Sequence, residues 1–518
     1  MATTARATGD GRGPAGGGEI QRLKPHALGL WSVLFMVVAT AAPITAMTGN
    51  VPLAVGYGNG TGAPAGFLFA TIVLTVFSVG YVAMARYITA TGAFYGYISH
   101  GLGREIGMAS GLLAVLAYVV FEASLIGIFS AFATSTVESQ LGLTVPWQAF
   151  AFGMLAVNCA LAFFAINITA RILGVFLITE ISILAIMAVA VLLAGGGPDG
   201  IPLEPLSPVN AFTGPAAGFG LFFAFWSWVG FESTAMYGEE STNPKKIIPQ
   251  ATLIAVVGIG LFYVFVSWMA IAGNGLDESV EIASGDAPFD LFFGPTREYV
   301  GAWGVTLFEW LIVTGSFACG FAFHNCASRY LYAMGREGFL WRGLGRTQPK
   351  HGSPHVASFV QTGIAGLISL GFWLSGQDPY IGLYGLMAIL GTFAILVVQT
   401  LCSFAVIGYF RKNHPEARHW FRTFLAPLLG GIGMTVVVIL LVTNLETAAG
   451  AAAETLLFDL IPWIIVGVFV AGLAVAFYYK AKRPDRYAVI GRIVFEDAGE
   501  RPGYDEDAAD AHPESTRA

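Results

Sequence analysis

The sequence predicts an all-α polytopic membrane protein. About twelve transmembrane helices are expected, as a five-plus-five inverted repeat with helices 1 and 6 broken, followed by two C-terminal helices. Three observations carry this. The 518 residues are 55% hydrophobic and 11% charged, whereas soluble domains carry about a quarter charged residues. Apolar runs long enough to cross a hydrocarbon layer about 30 Å thick recur along the chain. Two of these runs, five apart in order, are interrupted at similar depth.

The runs lie near 28–57, 63–85, 106–136, 147–166 and 170–194 in a first half (about 28–195). Those of a second half (about 217–410) lie near 217–237, 249–272, 301–332, 355–375 and 380–410. Two more, near 424–443 and 459–479, complete a membrane domain of 26–480. They must be helices, because lipid offers the backbone no hydrogen-bond partner; barrel strands would be about ten residues long with strict alternation. The first run, VVATAAPITAMTGNVPLAVGYGNG from Val37 to Gly60, contains Pro43, Gly49 and Pro52. Proline removes a backbone donor and glycine loosens a turn, so a break across 41–50 is expected. The third and fifth runs carry Glu122 and Glu180. The sixth, within FWSWVGFESTAMYGEESTNPKKIIP from Phe225 to Pro249, places Gly230 and Glu232 in mid-stretch. The eighth contains Glu309, His324 and Asn325.

With twelve crossings, the N-terminal segment and every second loop share one side with the C-terminal segment. That side collects all 26 basic residues except Arg297. Cytoplasmic loops hold the excess of Lys and Arg, so both termini are expected in the cytoplasm, with the chain in the plasma (cytoplasmic) membrane. The start, 1–25, and the end, 481–518, are expected to be cytoplasmic tails; the Gly-rich GDGRGPAGGG and the acidic EDAGERPGYDEDAADAHPE within them cannot bury apolar surface and are expected to stay disordered. The first apolar run is too long for a cleavable signal core. Cys159, Cys319, Cys326 and Cys402 all fall within spans and are expected to pack as free thiols rather than pair. The net charge of -7 reflects acids in outer loops and the tail, and gives no support to nucleic-acid binding. There is no zinc-ligand spacing, Walker loop or G-x-S-x-G elbow, so neither an enzyme nor a cofactor is expected.

Interrupted spans in corresponding positions of two halves point to the binding site of a carrier built from inverted repeats. Half-helix N-termini offer free N–H groups to an anion, and unwound carbonyls can hold an ammonium. An α-amino acid has one group of each kind.

At this point a resemblance enters. WSWVGFES, followed by EESTNPKKIIPQA, resembles the sixth span and following loop of the amino acid–polyamine–organocation (APC) permease superfamily. The loop SRYLYAMGREGFLWRGLGRTQPKHGSPHVA resembles the family's Arg-rich cytoplasmic loop. The likeness extends over about 25–480 and implies a LeuT-like fold and secondary transport. There are departures. Where the family often has Gly-Ser-Gly in the first break, counting back from Pro52 finds Thr45-Ala46-Met47, which would narrow the pocket. Gly92 is retained in the second loop but Ala93 replaces a glycine, and Trp341 stands where proline is usual.

The resemblance implies a substrate site formed by Ile44, Thr45, Ala46, Met47, Thr48 and Gly49 of the first break. From the sixth it would take Phe225, Trp226, Ser227, Val229 and Gly230. Trp226 matches the family aromatic beside the substrate, against the alternative of a packing or interfacial ring. Glu232 is either a protonatable gate or clamp, or a structural carboxylate that accepts free N–H groups. Glu239, Glu240, Lys245 and Lys246 are solvated loop charges unless one forms a gating ion pair with Arg86 or Arg329. An intramembrane carboxylate is costly and is a functional candidate by default. Glu180 is the preferred proton-coupling residue, since its place resembles that of a lysine in some proton-coupled relatives. Glu122 is a second candidate, and Glu309, His324 and Asn325 are read as structural. The expected function is a secondary active transporter for amino acids, importing with protons by alternating access. An amine or polyamine importer and an amino-acid exchanger remain open, as does, from another class, a receptor or channel. The oligomeric state is left open.

Overall fold

The computed structural model describes residues 28–491, apart from 89–93, 163–165, 215, 286, 349–350 and 444–455. The sequence-expected disordered ends and the Gly92-Ala93 pair lie outside the described residues, as do the side chains of Arg171 and Glu239. The described chain is helical, with no strand longer than an isolated bridge. The helical segments, numbered as spans one to twelve, run in the following order.

The first crossing is α1 (Leu30–Ala41) and α2 (Pro43–Tyr57). Next come α3 (Ala63–Ala85), a short inner helix α4 (Phe94–Gly101), α5 (Arg104–Leu141), α6 (Trp147–Leu161) and α7 (Ile166–Ala194). The sixth crossing is α8 (Ala217–Trp226) followed by a 3-10 stretch, Phe231–Glu240. The seventh is α9 (Pro244–Asn274). Two outer helices, α10 (Leu276–Ser284) and α11 (Asp290–Tyr299), precede the eighth, α12 (Ala302–Arg336), and the ninth, α13 (His355–Leu374). The tenth begins with a π-helical turn, Pro379–Leu386, and continues as α14 (Met387–Lys412); α15 (Ala426–Thr443) and α16 (Leu456–Lys482) are the last two. Among the described residues, ten helical segments are long and apolar enough to cross a bilayer; α6 is shorter, and the sixth span is divided.

Span three packs most extensively on span eight, and span two on span seven. Small residues permit this. A Cβ at Gly260 of α9 would lie 2.3 Å from Thr71 Cγ2 of α3, and small residues let membrane helices approach closely.

The first break is narrower than the sequence implies. Helix α1 ends at Ala41, Ala42 adopts φ 45° and ψ 72°, and α2 starts at once with Pro43. Proline at the first helical position needs no N–H and already has the helical φ, so Pro43 restarts the helix instead of prolonging the gap. Gly49 and Pro52 are accommodated inside α2. Residues 43–50 are therefore helical, and the irregularity expected across 41–50 is confined to Ala42.

The loops holding the basic residues gather at one end, here called inner. Beyond α16, the helix α17 (Pro484–Val489) folds back there, Lys480 and Tyr487 reach Glu105 at 2.6 and 2.9 Å, and Ile490 is buried beside Tyr95 and Met108. At the opposite end Tyr57 donates to the carbonyl of Ser284. Cysteine placed at Ser284, which is exposed, is expected to react with an impermeant maleimide added outside intact cells, and cysteine at Ser353 to be spared. The reverse labelling would invert the orientation.

A candidate substrate site at the two helix breaks

Both breaks turn on a positive φ: Ala42 is the one non-glycine residue with φ > 0 among the described residues, and Gly230 has φ 115°. A left-handed residue in mid-span leaves carbonyls without their i+4 donors. Neighbouring spans supply replacements. Tyr263 of α9 donates to the carbonyl of Ala41 at 2.8 Å, and the Cys319 thiol of α12 to that of Thr40 at 3.4 Å. The two breaks touch, because a Cβ on Gly230 would lie 2.5 Å from Thr40 Cγ2. Only glycine fits there, on grounds of both conformation and space.

Between the breaks lies a small cavity. Span one contributes Thr40 to Ala42, Thr45, Ala46 and Asn50, and span six contributes Trp226, Ser227 and Val229. Leu125, Cys319, Phe323 and Tyr384 close it. Every one of these is buried, and none is charged. One wall is apolar: the Trp226 ring lies 4.6 Å from Phe121 and 6.4 Å from Phe323. The other is a polar chain in which Trp226 Nε1 donates to Tyr384 Oη (3.0 Å), Tyr384 to Asn50 Oδ1 (2.8 Å), and Asn50 Nδ2 to Ser227 Oγ (2.9 Å). The Thr45 hydroxyl, 3% exposed, has no partner. A buried hydroxyl without a partner is costly in a resting protein and available to a ligand.

Of the eleven residues named for substrate, Thr45, Ala46, Trp226, Ser227 and Val229 line the cavity. The others stand behind it. Ile44 packs toward Gly315, the Thr48 hydroxyl returns to the Ile44 carbonyl, and the Gly49 carbonyl accepts from Tyr380. Met47 is buried in the core, Phe225 packs against Phe69, and Gly230 forms the break itself. Helical periodicity explains the split: once 43–50 is a helix, Thr45, Ala46 and Asn50 share one face with Gly49, which has no side chain to present, while Ile44, Met47 and Thr48 turn away. Asn50 was legible as an amide in an apolar run. Leu125, Phe323 and Tyr384 carry no signal that separates them from packing residues.

The three carboxylates named for coupling or gating are fully buried, and none lines the cavity. Glu180 of α7 lies where a Cβ on Gly315 would be 2.8 Å from its Cδ and 2.4 Å from Ile44 Cγ2. It faces the Ile44 backbone at the start of α2, but neither oxygen has a well-formed hydrogen bond. Glu232 instead caps the sixth break: it accepts the Gly230 N–H at 3.1 Å and the Tyr118 hydroxyl at 2.9 Å. Glu122 belongs to a polar knot joining α5, α6, α12 and α13, accepting from Gln361 (2.8 Å) and Asn158 (3.4 Å) and pairing with His324 Nδ1 (2.9 Å). Asn325 bonds back to Phe321 on its own helix.

At the inner end Arg329, rather than the exposed Arg86, pairs with Glu240. The fork is bidentate, at 3.0 and 3.1 Å, and the guanidinium lies 5.0 Å over the Tyr237 ring. This ties the end of span six to span eight. Removing one partner of a buried pair leaves an uncompensated charge, so Glu240→Gln is expected to destabilise the fold by roughly 3–5 kcal/mol. An unchanged thermal transition in detergent would show that the pair contributes nothing to stability.

Comparison with known proteins agrees with this architecture. A family model described as amino acid permease matches residues 28–470. The chain is 26% identical to a transporter of Rhizobium meliloti, over 63% of this chain and 70% of that one. It is 21% identical to a branched-chain amino acid permease of Bacillus subtilis (82% and 86% covered) and 23% identical to one of Lactococcus lactis (72% and 81%). With ten long apolar helices among the described residues, two breaks that meet around a buried cavity, and a match over nearly the whole membrane domain, the chain belongs to the amino acid permease family of the APC superfamily and is a multi-pass membrane transporter.

Proposed function

We propose that the protein imports neutral amino acids with apolar side chains across the cytoplasmic membrane, coupled to protons, by alternating access, with both termini inside. The observation that carries this is the uncharged, fully buried cavity at the two breaks. Its Thr45 hydroxyl and the adjoining start of α2 suit a carboxylate. The Ser227 and Asn50 side chains and the break carbonyls suit an ammonium, while Leu125, Val229, Phe323 and Trp226 suit an aliphatic chain. The likeness to branched-chain amino acid permeases of Bacillus subtilis and Lactococcus lactis points the same way.

A polyamine carries several charges that would each need a counter-charge in low dielectric. The cavity lining has none, which disfavours the amine and polyamine reading. Proton coupling is assigned to Glu180, because it faces the same turn of α2 that supplies Thr45 and Ala46. A proton on this carboxylate and a substrate in the cavity therefore act on one segment, which links their binding free energies.

Equilibrium binding of radiolabelled L-leucine to purified protein, competed by a panel of amino acids and amines, tests the substrate class. Branched and other apolar neutral amino acids are expected to compete, and lysine, glutamate and spermidine to fail. Competition by spermidine alone would replace this reading with the polyamine one.

A further inference from the structure

The inner end carries a basic cradle that the proposed transport cycle does not use. Helix α12 ends at Arg336, and Gly338 follows with φ 79°. A Cβ on Gly338 would lie 3.2 Å from Arg342 Nε and 3.7 Å from Arg486 Nη1, so two guanidinium groups from distant parts of the chain converge on this glycine. Arg486 donates from Nη1 to the Gly338 carbonyl at 2.8 Å and lies 5.9 Å over the Tyr479 ring. Arg342 is exposed, and its guanidinium makes no hydrogen bond or ion pair among the described residues. The neighbouring carboxylates are committed elsewhere: Glu105 accepts from Lys480 and Tyr487, and Glu337 from the Tyr95 hydroxyl. Two guanidinium groups held together with no carboxylate between them suit an anion, and their forked donors match the several oxygens of a phosphate.

The surroundings put the cradle at the level of lipid headgroups. Lys482 and Arg483, both exposed, stand at the end of span twelve. Tyr478 of that span is 57% exposed, and Trp341, next to Arg342, is 66% exposed. Exposed Trp and Tyr rings beside Lys and Arg mark the membrane–water interface, and basic clusters immediately beyond a span attract anionic lipid. The same segment is a strap. Ile490 is buried against Tyr95 and Met108, and the Gly491 N–H donates to Tyr95 Oη at 2.7 Å. Because Tyr95 of α4 donates in turn to Glu337, the strap joins span twelve to α4 and to the end of span eight.

We propose that Arg342 and Arg486 bind the phosphate of an anionic phospholipid, and that this lipid fastens the strap across the inner end. Its headgroup supplies the counter-charge that the protein itself does not place between the two arginines, and it bridges the loop after span eight to α17. With the inner end in the cytoplasm, the lipid belongs to the negatively charged cytoplasmic leaflet. The leaflet follows from the proposed orientation; the site itself is independent of that orientation and of the substrate.

The test follows the thermal transition of the purified full chain in dodecyl maltoside micelles to which phosphatidylglycerol, phosphatidylcholine or inorganic phosphate is added. Phosphatidylglycerol is expected to raise the transition, and the other two to leave it in place. Arg342→Gln, which breaks no bond of the fold, is expected to remove roughly half or more of that rise, as is Arg486→Gln; Lys246→Gln, at another inner loop, is expected to keep it. Each rise is measured against the same variant without lipid, so a lower starting stability does not count. Phosphatidylglycerol is also expected to slow cleavage after Lys482 by endoproteinase Lys-C in the wild type but not in Arg342→Gln. The proposal is overturned if phosphatidylglycerol gives no rise, if phosphatidylcholine or inorganic phosphate gives an equal one, if both arginine variants keep it in full, or if cleavage is not slowed. A rise seen only after Asp505→Asn, Glu506→Gln and Asp507→Asn together would assign the cradle to the chain's own acidic end, and overturn it equally.

Discussion

Glu180→Gln is expected to abolish accumulation of substrate driven by a pH gradient in proteoliposomes, while leaving equilibrium binding and some substrate counterflow in place. The amide has the shape of the protonated carboxyl group but cannot release a proton. Glu180 faces the first turn of α2 and lies against Gly315 of α12, so its charge acts where the first break meets span eight. If the empty carboxylate favours one facing state and the protonated one another, substrate movement follows the proton gradient through that difference in affinity. A protein locked in the protonated form keeps its cavity, because none of the lining residues changes. Full gradient-driven accumulation by the variant would remove Glu180 from coupling. Glu122, satisfied by three partners, and Glu232, held by the Gly230 N–H and the Tyr118 hydroxyl, would be the remaining candidates.

Trp226→Ala should lower substrate affinity by about 2–4 kcal/mol, roughly 30- to 1,000-fold, as truncation of a central aromatic anchor does. The ring supplies the apolar wall opposite the polar groups and, through Nε1, holds the Tyr384 hydroxyl at 3.0 Å. Its loss removes both a contact surface and the orientation of the polar chain through Asn50 to Ser227. The measurement is equilibrium binding to variant protein that elutes as a single species. Trp226→Phe separates the two effects, since it keeps most of the apolar wall and loses the N–H; an affinity midway between the parent and alanine variant is expected. Wild-type affinity in Trp226→Ala would return the ring to packing.

Much of the fold was legible in one dimension because the bilayer imposes a one-dimensional rule. A span must be apolar for a fixed length and must satisfy its own backbone, so twelve runs could be read off the chain; among the described residues ten are helical segments long enough to cross, while the fourth is shorter and the sixth divided. The interruptions were legible for the same reason: Pro43 and Gly230 are costly in a continuous helix. Even there local chemistry required tertiary context, since Pro43 alone does not say whether it ends one helix or begins the next.

The site was decided by contacts between spans, about which periodicity carries no information. That Tyr384 of span ten reaches Asn50 of span one, that Glu180 faces Ile44 rather than a polar partner, and that Glu122 is bound into a knot with His324 and Gln361 are consequences of which helices become neighbours. In a membrane an apolar face is satisfied by lipid as well as by protein, so hydrophobicity does not choose the neighbour; close packing of small residues and buried hydrogen bonds do. The sequence by itself therefore determined the membrane class, the number of crossings and the places where helices must break. Only the tertiary structure decided which side chains around those breaks face one another across a closed cavity.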